Sequence, residues 1–325
     1  MTRTSGIFTV KKCYTQNTMK NIFVALLAVA IIGGGAYVFM KKPTETTPVV
    51  IGTPKSNDVT NKPLVNKPSA DTQTLIDTTK TVIGTSVEGN KITAYHFGTG
   101  EKELLFVGGI HGGYEWNTVL LAYELMDYLG ANPNSIPKNI QVTIIPVLNP
   151  DGLQKVVGTT TRFVPREVSS SEGTVISGRF NGNNVDLNRN FDCDWKKTGV
   201  WQTKQVSGGT APFSEPESKA IKNYIDAKKP TAAVVWYSAG GGVFASNCHI
   251  GVSTETNMLT KTFAEASGYQ AHQSFDFYET TGDMVNWLAK NNIPAISVLL
   301  TNHTNTEWTK NKAGVESLLK YYSSK

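Results

Sequence analysis

From residue 76 onward, short apolar runs alternate with longer segments whose apolar residues recur three and four positions apart. The stretches "KITAYHF" (91–97), "ELLFVGGI" (103–110), "VTIIPVL" (142–148), "AAVVWYS" (232–238) and "AISVLL" (295–300) read as strands. Three of these are continuous apolar runs, which suits a sheet covered on both faces. Helical spacing marks 116–129, 215–228, 256–267, 283–291 and 306–322. The second opens "SEPE", and the spacing of Ser214 and Glu217 predicts a capping box. Segment 153–212 lacks long periodicity and is rich in Gly, Ser, Thr and Asn. It is expected to be a long loop, and long loops in α/β domains are where sites tend to be built. The pattern predicts a single α/β domain over 76–325, with a mixed, mainly parallel central sheet and helices on both faces.

The first 75 residues follow a different pattern. "NIFVALLAVAIIGGGAYVFM" (21–40) carries no charge for 20 residues. At about 1.5 Å per residue it spans a hydrocarbon core of roughly 30 Å, so a transmembrane anchor is expected. Arg3, Lys11, Lys12 and Lys20 precede it without an acidic residue, placing the short N-terminus 1–20 in the cytoplasm. Residues 41–75, rich in Pro, Thr, Ser and Asn, read as a flexible linker. The expectation is a single-pass membrane protein with its folded domain extracytoplasmic.

Composition adds little beyond ordinary globular character: 39% of the 325 residues are apolar and 18% charged. The net charge of +5 comes from scattered lysines, with five arginines in all. No basic block with interleaved aromatics occurs, so nucleic acid is not an expected partner. Of three cysteines, Cys193 and Cys248 lie in the domain, where an extracytoplasmic setting permits either a disulfide or two buried thiols.

Four clusters carry candidate chemistry. In "GGIHGGYEWNT" (108–118), His111 falls where a strand ends and Glu115 in the first turn of the next helix. The pair is either half of a metal site or a polar strand-to-helix turn. "NPDG" (149–152) is by itself a good turn. "GRFNGNNVDLNRNF" (178–191) offers Arg179, Asn188 and Arg189, residue types that suit a carboxylate clamp. "DFYETTGDMVNW" (276–287) places Tyr278 in a polar loop before a helix.

Taken in order from "IGTSVEGNKI" (83–92) through these motifs, "FSEPES" and "TGDMVNW" to the last helix, about 240 residues resemble the zinc metallocarboxypeptidases, the carboxypeptidase A-like peptidases. The resemblance implies that His111 and Glu115 bind zinc, and that Asn188 and Arg189 grip the free C-terminal carboxylate of a peptide. It also implies that Arg179 stabilises the oxyanion and that Tyr278 closes over the substrate. A second histidine and a glutamate base complete the family's site.

Here the sequence departs from the family. His111 and Glu115 are spaced by four residues rather than three. Tyr237 stands where the third zinc ligand should be, with His249 the nearest alternative. The base aligns with Leu299, or with Leu300 if the register shifts by one, and His303 and Glu279 are the conceivable substitutes. The expectation is therefore a membrane-anchored domain that recognises peptide C-termini but is catalytically impaired. The alternative is an active zinc carboxypeptidase trimming peptides or cell-wall stem peptides. Val285 suggests an apolar floor for the side chain of the terminal residue.

Overall fold

The computed structural model describes residues 79–325. The expected anchor 21–40 and linker 41–75 lie outside these described residues. Among the described residues no helix is long and apolar enough to cross a membrane.

The first half of the fold holds strands β1 (Lys80–Thr85), β2 (Lys91–Phe97), β3 (Lys102–Val107) and β4 (Ile140–Ile145). Helix α1 (Trp116–Ala131) joins β3 to β4, and helices α2 (Pro150–Val157) and α3 (Glu172–Ser177) follow. A hairpin of β5 (Thr198–Trp201) and β6 (Lys204–Ser207) leads into helix α4 (Pro216–Lys228). The second half runs β7 (Ala232–Ser238), β8 (Gly242–Ala245), α5 (Thr254–Ser267) and β9 (Ala271–His272). It ends with α6 (Met284–Lys290), β10 (Ala295–Leu300) and α7 (Trp308–Ser323).

Eight strands form one mixed sheet in the order β1-β2-β4-β3-β7-β10-β8-β9. The four central strands β4, β3, β7 and β10 run parallel; β1, β2 and β8 join antiparallel. Strand alternation sends successive side chains to opposite faces. In β3, Leu104 and Phe106 pack with residues of α1, α5 and α7, while Leu105 and Val107 pack with residues of α4 and α6. Both faces are therefore covered, which is why β3, β7 and β10 read as unbroken apolar runs.

The structure corrects three expectations. The "NPDG" turn is also a helix start: Asn149 caps α2, its Oδ1 accepting from Gly152 N at 2.9 Å, with Pro150 in the first turn. The expected loop 153–212 carries most of α2, all of α3 and the β5–β6 hairpin. No capping box forms at α4, whose N-cap is Glu215. Ser214 Oγ instead donates to Glu215 Oε1 at 2.7 Å, and Glu217 accepts from Val87 N at 3.1 Å and Asn181 Nδ2 at 3.0 Å. Tertiary partners outbid the local cap.

Candidate functional site

In the sheet order, β3 has β4 on one side and β7 on the other, and such reversal points open a crevice beyond the strand ends. A cavity of about 630 Å3 opens here, lined by residues that follow β3, by the ends of β7 and β10, and by the β5–β6 turn. It collects His111, Glu115, Arg179, Asn188, Arg189, Tyr237, Tyr278 and Leu299, which the sequence scatters over almost 190 positions.

His111 leaves β3 through a glycine-rich turn that ends in a 3-10 turn, Gly112–Glu115. Gly112 has φ +46°, and a Cβ there would meet Gly178 O at 2.6 Å. Only glycine lets the chain fold this tightly against α2 and α3. Glu115 is thus the N-cap of α1 rather than part of its first turn. The tight turn absorbs the extra residue of spacing and sets His111 Nδ1 2.9 Å from Glu115 Oε1. The other ring nitrogen, Nε2, faces Asp186 Oδ1 at 3.4 Å. These contacts are close but misaligned for hydrogen bonding, so both ring nitrogens and Glu115 Oε2 are buried without a hydrogen-bond partner.

Arg179 is fully buried between two carboxylates. Its Nε and Nη2 each lie 2.9 Å from Asp186 Oδ2, and Nη1 lies 3.8 Å from Glu115 Oε1. The guanidinium also lies over the Trp201 ring, 4.5 Å from its centroid. Burial alone would raise the Asp186 carboxyl, but Arg179 and His111 outweigh it and hold that group far below the usual carboxylate range. Neither Asp186 nor Trp201 was singled out from sequence. Asp186 was visible inside "VDLNRNF"; Trp201 reaches the site only because the hairpin folds over it.

Beside this group sit Asn188 and Arg189, the residues expected to form a clamp. Asn188 Oδ1 accepts from Met284 N at 3.1 Å and from Tyr237 Oη at 3.2 Å. That orients the amide and leaves its NH2 for a ligand. Arg189 donates Nε (3.1 Å) and Nη2 (2.7 Å) to Val200 O, and Nη1 (2.7 Å) to Asn188 O. A guanidinium has five N–H donors, so one remains on each terminal nitrogen. The Tyr278 ring lies 5.8 Å from the same guanidinium and packs on Phe275.

The two positions where the resemblance leads one to expect a histidine and a glutamate, Tyr237 and Leu299, sit on neighbouring strands. Leu299 pairs in register with Tyr237, and both belong to the same apolar cluster. Leu300 points to the opposite face and does not line the cavity, whereas Leu299 does. Burial raises the Tyr237 hydroxyl well above the ordinary phenol range, so it stands there as a neutral donor to Asn188. The structure removes two substitutes. His249 is exposed and pairs with Asp194 at 2.6 Å, away from the cavity. Glu279 is exposed and pairs with Lys196 at 2.6 Å.

His303 is different, because it lines the cavity and packs its ring 4.8 Å from that of Tyr114. Asn117 spends its NH2 on Asn302 O and Asn305 O, so its Oδ1 takes the Ser238 hydroxyl proton at 3.0 Å. His303 Nδ1 then donates to Ser238 Oγ at 2.9 Å, leaving Nε2 as an acceptor. Burial lowers the His303 pKa and keeps the ring neutral. Cys193 and Cys248 are joined in a disulfide that ties the loop after Arg189 to the segment after β8.

A catalytic zinc needs three protein ligands and an open position. His111 and Glu115, with unpartnered nitrogens and an unpartnered carboxylate oxygen, suit two of them, and Asp186 is placed behind the imidazole as such sites require. Among the described residues, however, no group of three His, Cys, Asp or Glu is placed to hold a metal ion. A neutral, hydrogen-bonded phenol does not supply the third. The residues present do not fit a three-ligand zinc.

The fold and this constellation define a carboxypeptidase-type domain, and the chain belongs to the zinc carboxypeptidase family, Peptidase_M14, whose pattern matches residues 74–310. Carboxypeptidase O of Bos taurus is 37% identical over 98 residues, 30% of this chain and 24% of that protein. Bacteriocin BCN5 of Clostridium perfringens is 29% identical over 204 residues, 60% of this chain and 21% of that protein. The chain thus spans less than a quarter of either relative's length. Bovine thrombin-activatable fibrinolysis inhibitor, solved with tick carboxypeptidase inhibitor, shares the fold at TM-score 0.57 and 18% identity, covering 75% of this chain and 88% of that one. Murein-tripeptide amidase MpaA from Escherichia coli O157 shares it at TM-score 0.51 and 19% identity, covering 74% and 91%.

Proposed function

We propose that this domain binds peptides by their free C-terminal carboxylate and does not hydrolyse them. The observation that carries the reading is the clamp. Asn188 and Arg189 are buried and locked by protein partners, and each still has N–H donors to offer at the cavity. Two parallel donors from a guanidinium match a carboxylate. Tyr278, beside Arg189, would cover the bound terminus. Hydrolysis is a separate matter. With Tyr237 in the place of a zinc ligand and Leu299 in the place of the base, no group is set to activate water as the family does.

The second reading, an active carboxypeptidase acting on peptides or cell-wall stem peptides, draws support from the neutral His303 imidazole at the cavity wall. It still lacks a third ligand. In either reading, residues 21–40 would tether the domain to a membrane. Titration with one peptide as acid and as amide tests the proposal. Hydrogen bonds to a charged group contribute about 1.5–3 kcal/mol, so the amide should bind at least ~10-fold more weakly. Equal binding would refute the clamp.

A further inference from the structure

The group around His111 holds a carboxylate oxygen without a partner. Glu115 stands at the N-cap of α1, but its side chain caps no backbone N–H there. Its Oε2 is buried without a hydrogen-bond partner, as are both ring nitrogens of His111 beside it, and both residues line the cavity. Arg179 does not answer it. That guanidinium spends Nε and Nη2 on Asp186 at 2.9 Å, and its Nη1 comes only within 3.8 Å of the other Glu115 oxygen. Among the described residues no lysine and no other arginine makes an ion pair with Glu115.

Buried carboxylates are tolerated when a positive partner is supplied. Among the described residues no third ligand joins His111 and Glu115 to hold a metal in that role. The positive group then has to arrive with the ligand, and the clamp says where on the ligand it lies. Tyr237 donates its hydroxyl to Asn188 Oδ1 at 3.2 Å and sets its ring 5.6 Å from that of His111. One side chain thus separates the carboxylate-binding donors from the Glu115 group. An extended chain advances about 3.3–3.6 Å per residue. A cation one or two residues from the terminal carboxylate therefore reaches Glu115. In an amino acid or a dipeptide, that cation is the α-ammonium. Its three N–H donors suit Glu115 Oε2 and an imidazole nitrogen together. The amide of a longer peptide brings one donor and no charge.

We propose that the cavity selects short zwitterions, free amino acids or dipeptides, with the carboxylate on Asn188 and Arg189 and the ammonium on Glu115. This deepens the carboxylate-binding reading and rests on it. The test is calorimetric titration of the full chain, with a chelator present to keep metal off His111 and Glu115. The four ligands are leucine, alanyl-leucine and the N-acetylated form of each. Acetylation removes the positive charge and keeps the carboxylate.

Leaving one partner of a buried charge pair alone should weaken binding at least ~30-fold, so one free ligand should exceed its acetylated form by that ratio. The pair that shows the ratio tells whether one residue or two separate the charges. In Glu115→Gln, with an unchanged circular dichroism spectrum, the ratio should fall to within a few fold. The acetylated ligands should bind that variant as they bind the native chain, since the clamp is intact in both. Acetylated forms that bind the native chain as tightly as the free ones would overturn the inference while the clamp stands, and so would a Glu115→Gln variant that keeps the ratio. Failure of all four ligands to bind would instead remove the carboxylate-binding reading itself, and the inference with it.

Discussion

Replacing Tyr237 with histidine should tighten the hold on zinc that His111 and Glu115 alone would give this domain. The native cavity presents His111 Nδ1 and Glu115 Oε1 2.9 Å apart, with Asp186 at the far side of the imidazole. The His111 and Tyr237 rings lie 5.6 Å apart, so a histidine at 237 would enter from the neighbouring strand. Structural zinc held by four ligands is worth about 10–16 kcal/mol, or roughly 2.5–4 kcal/mol per ligand. A third ligand should therefore tighten zinc by about 10²–10³-fold. The substitution also removes the Tyr237–Asn188 hydrogen bond, at a cost of about 1 kcal/mol in stability, well below the gain. Competition with a chromophoric chelator measures both proteins. Adding Leu299→Glu to Tyr237→His should then raise peptide hydrolysis by about 10²–10⁴-fold over the single variant, the usual worth of a general base. Stoichiometric, nanomolar zinc in the native chain would refute the reasoning. So would a folded Tyr237→His variant with unchanged zinc affinity.

Other parts of the site make their own expectations. Asp186 has its carboxyl held below its ordinary range, so its contribution is present above the unfolded value near ~3.9 and is lost as pH falls below it. Thermal midpoints should drop steeply below about pH 4. Asp186→Asn, which breaks a buried charge pair, should cost about 3–5 kcal/mol at pH 7 and flatten that drop; an unchanged acid profile would show that the pair does not carry it. The Cys193–Cys248 bridge closes a separation of 55 residues, which loop-closure entropy values at roughly 4 kcal/mol. Reductant should lower the thermal midpoint accordingly, and a melt insensitive to reductant would contradict the assignment.

The sheet core was legible because β3, β7 and β10 are buried on both faces and leave unbroken apolar runs. The short strands β8 and β9 at one end of the sheet and the β5–β6 hairpin were not, since four residues or fewer carry too little pattern to separate from a loop. The motif residues His111, Arg179, Asn188, Arg189 and Tyr278 were readable individually and do meet in one cavity. What the sequence could not show was their wiring. Trp201 sits under Arg179, and Val200 O holds Arg189, because a hairpin with no motif folds over both arginines. Nor could spacing distinguish His303, which the turn after β10 brings to Ser238, from His249, which the disulfide loop leaves in solvent.

Binding without cleavage is the central claim, and one sample can address it. The full chain would be titrated calorimetrically with a peptide bearing a free C-terminus in the presence of zinc, and the same mixture then followed by mass spectrometry. The expected result is a saturable heat that the peptide amide does not reproduce, with the peptide recovered at full length. Loss of the terminal residue, abolished by a chelator, would contradict the account and establish an active carboxypeptidase.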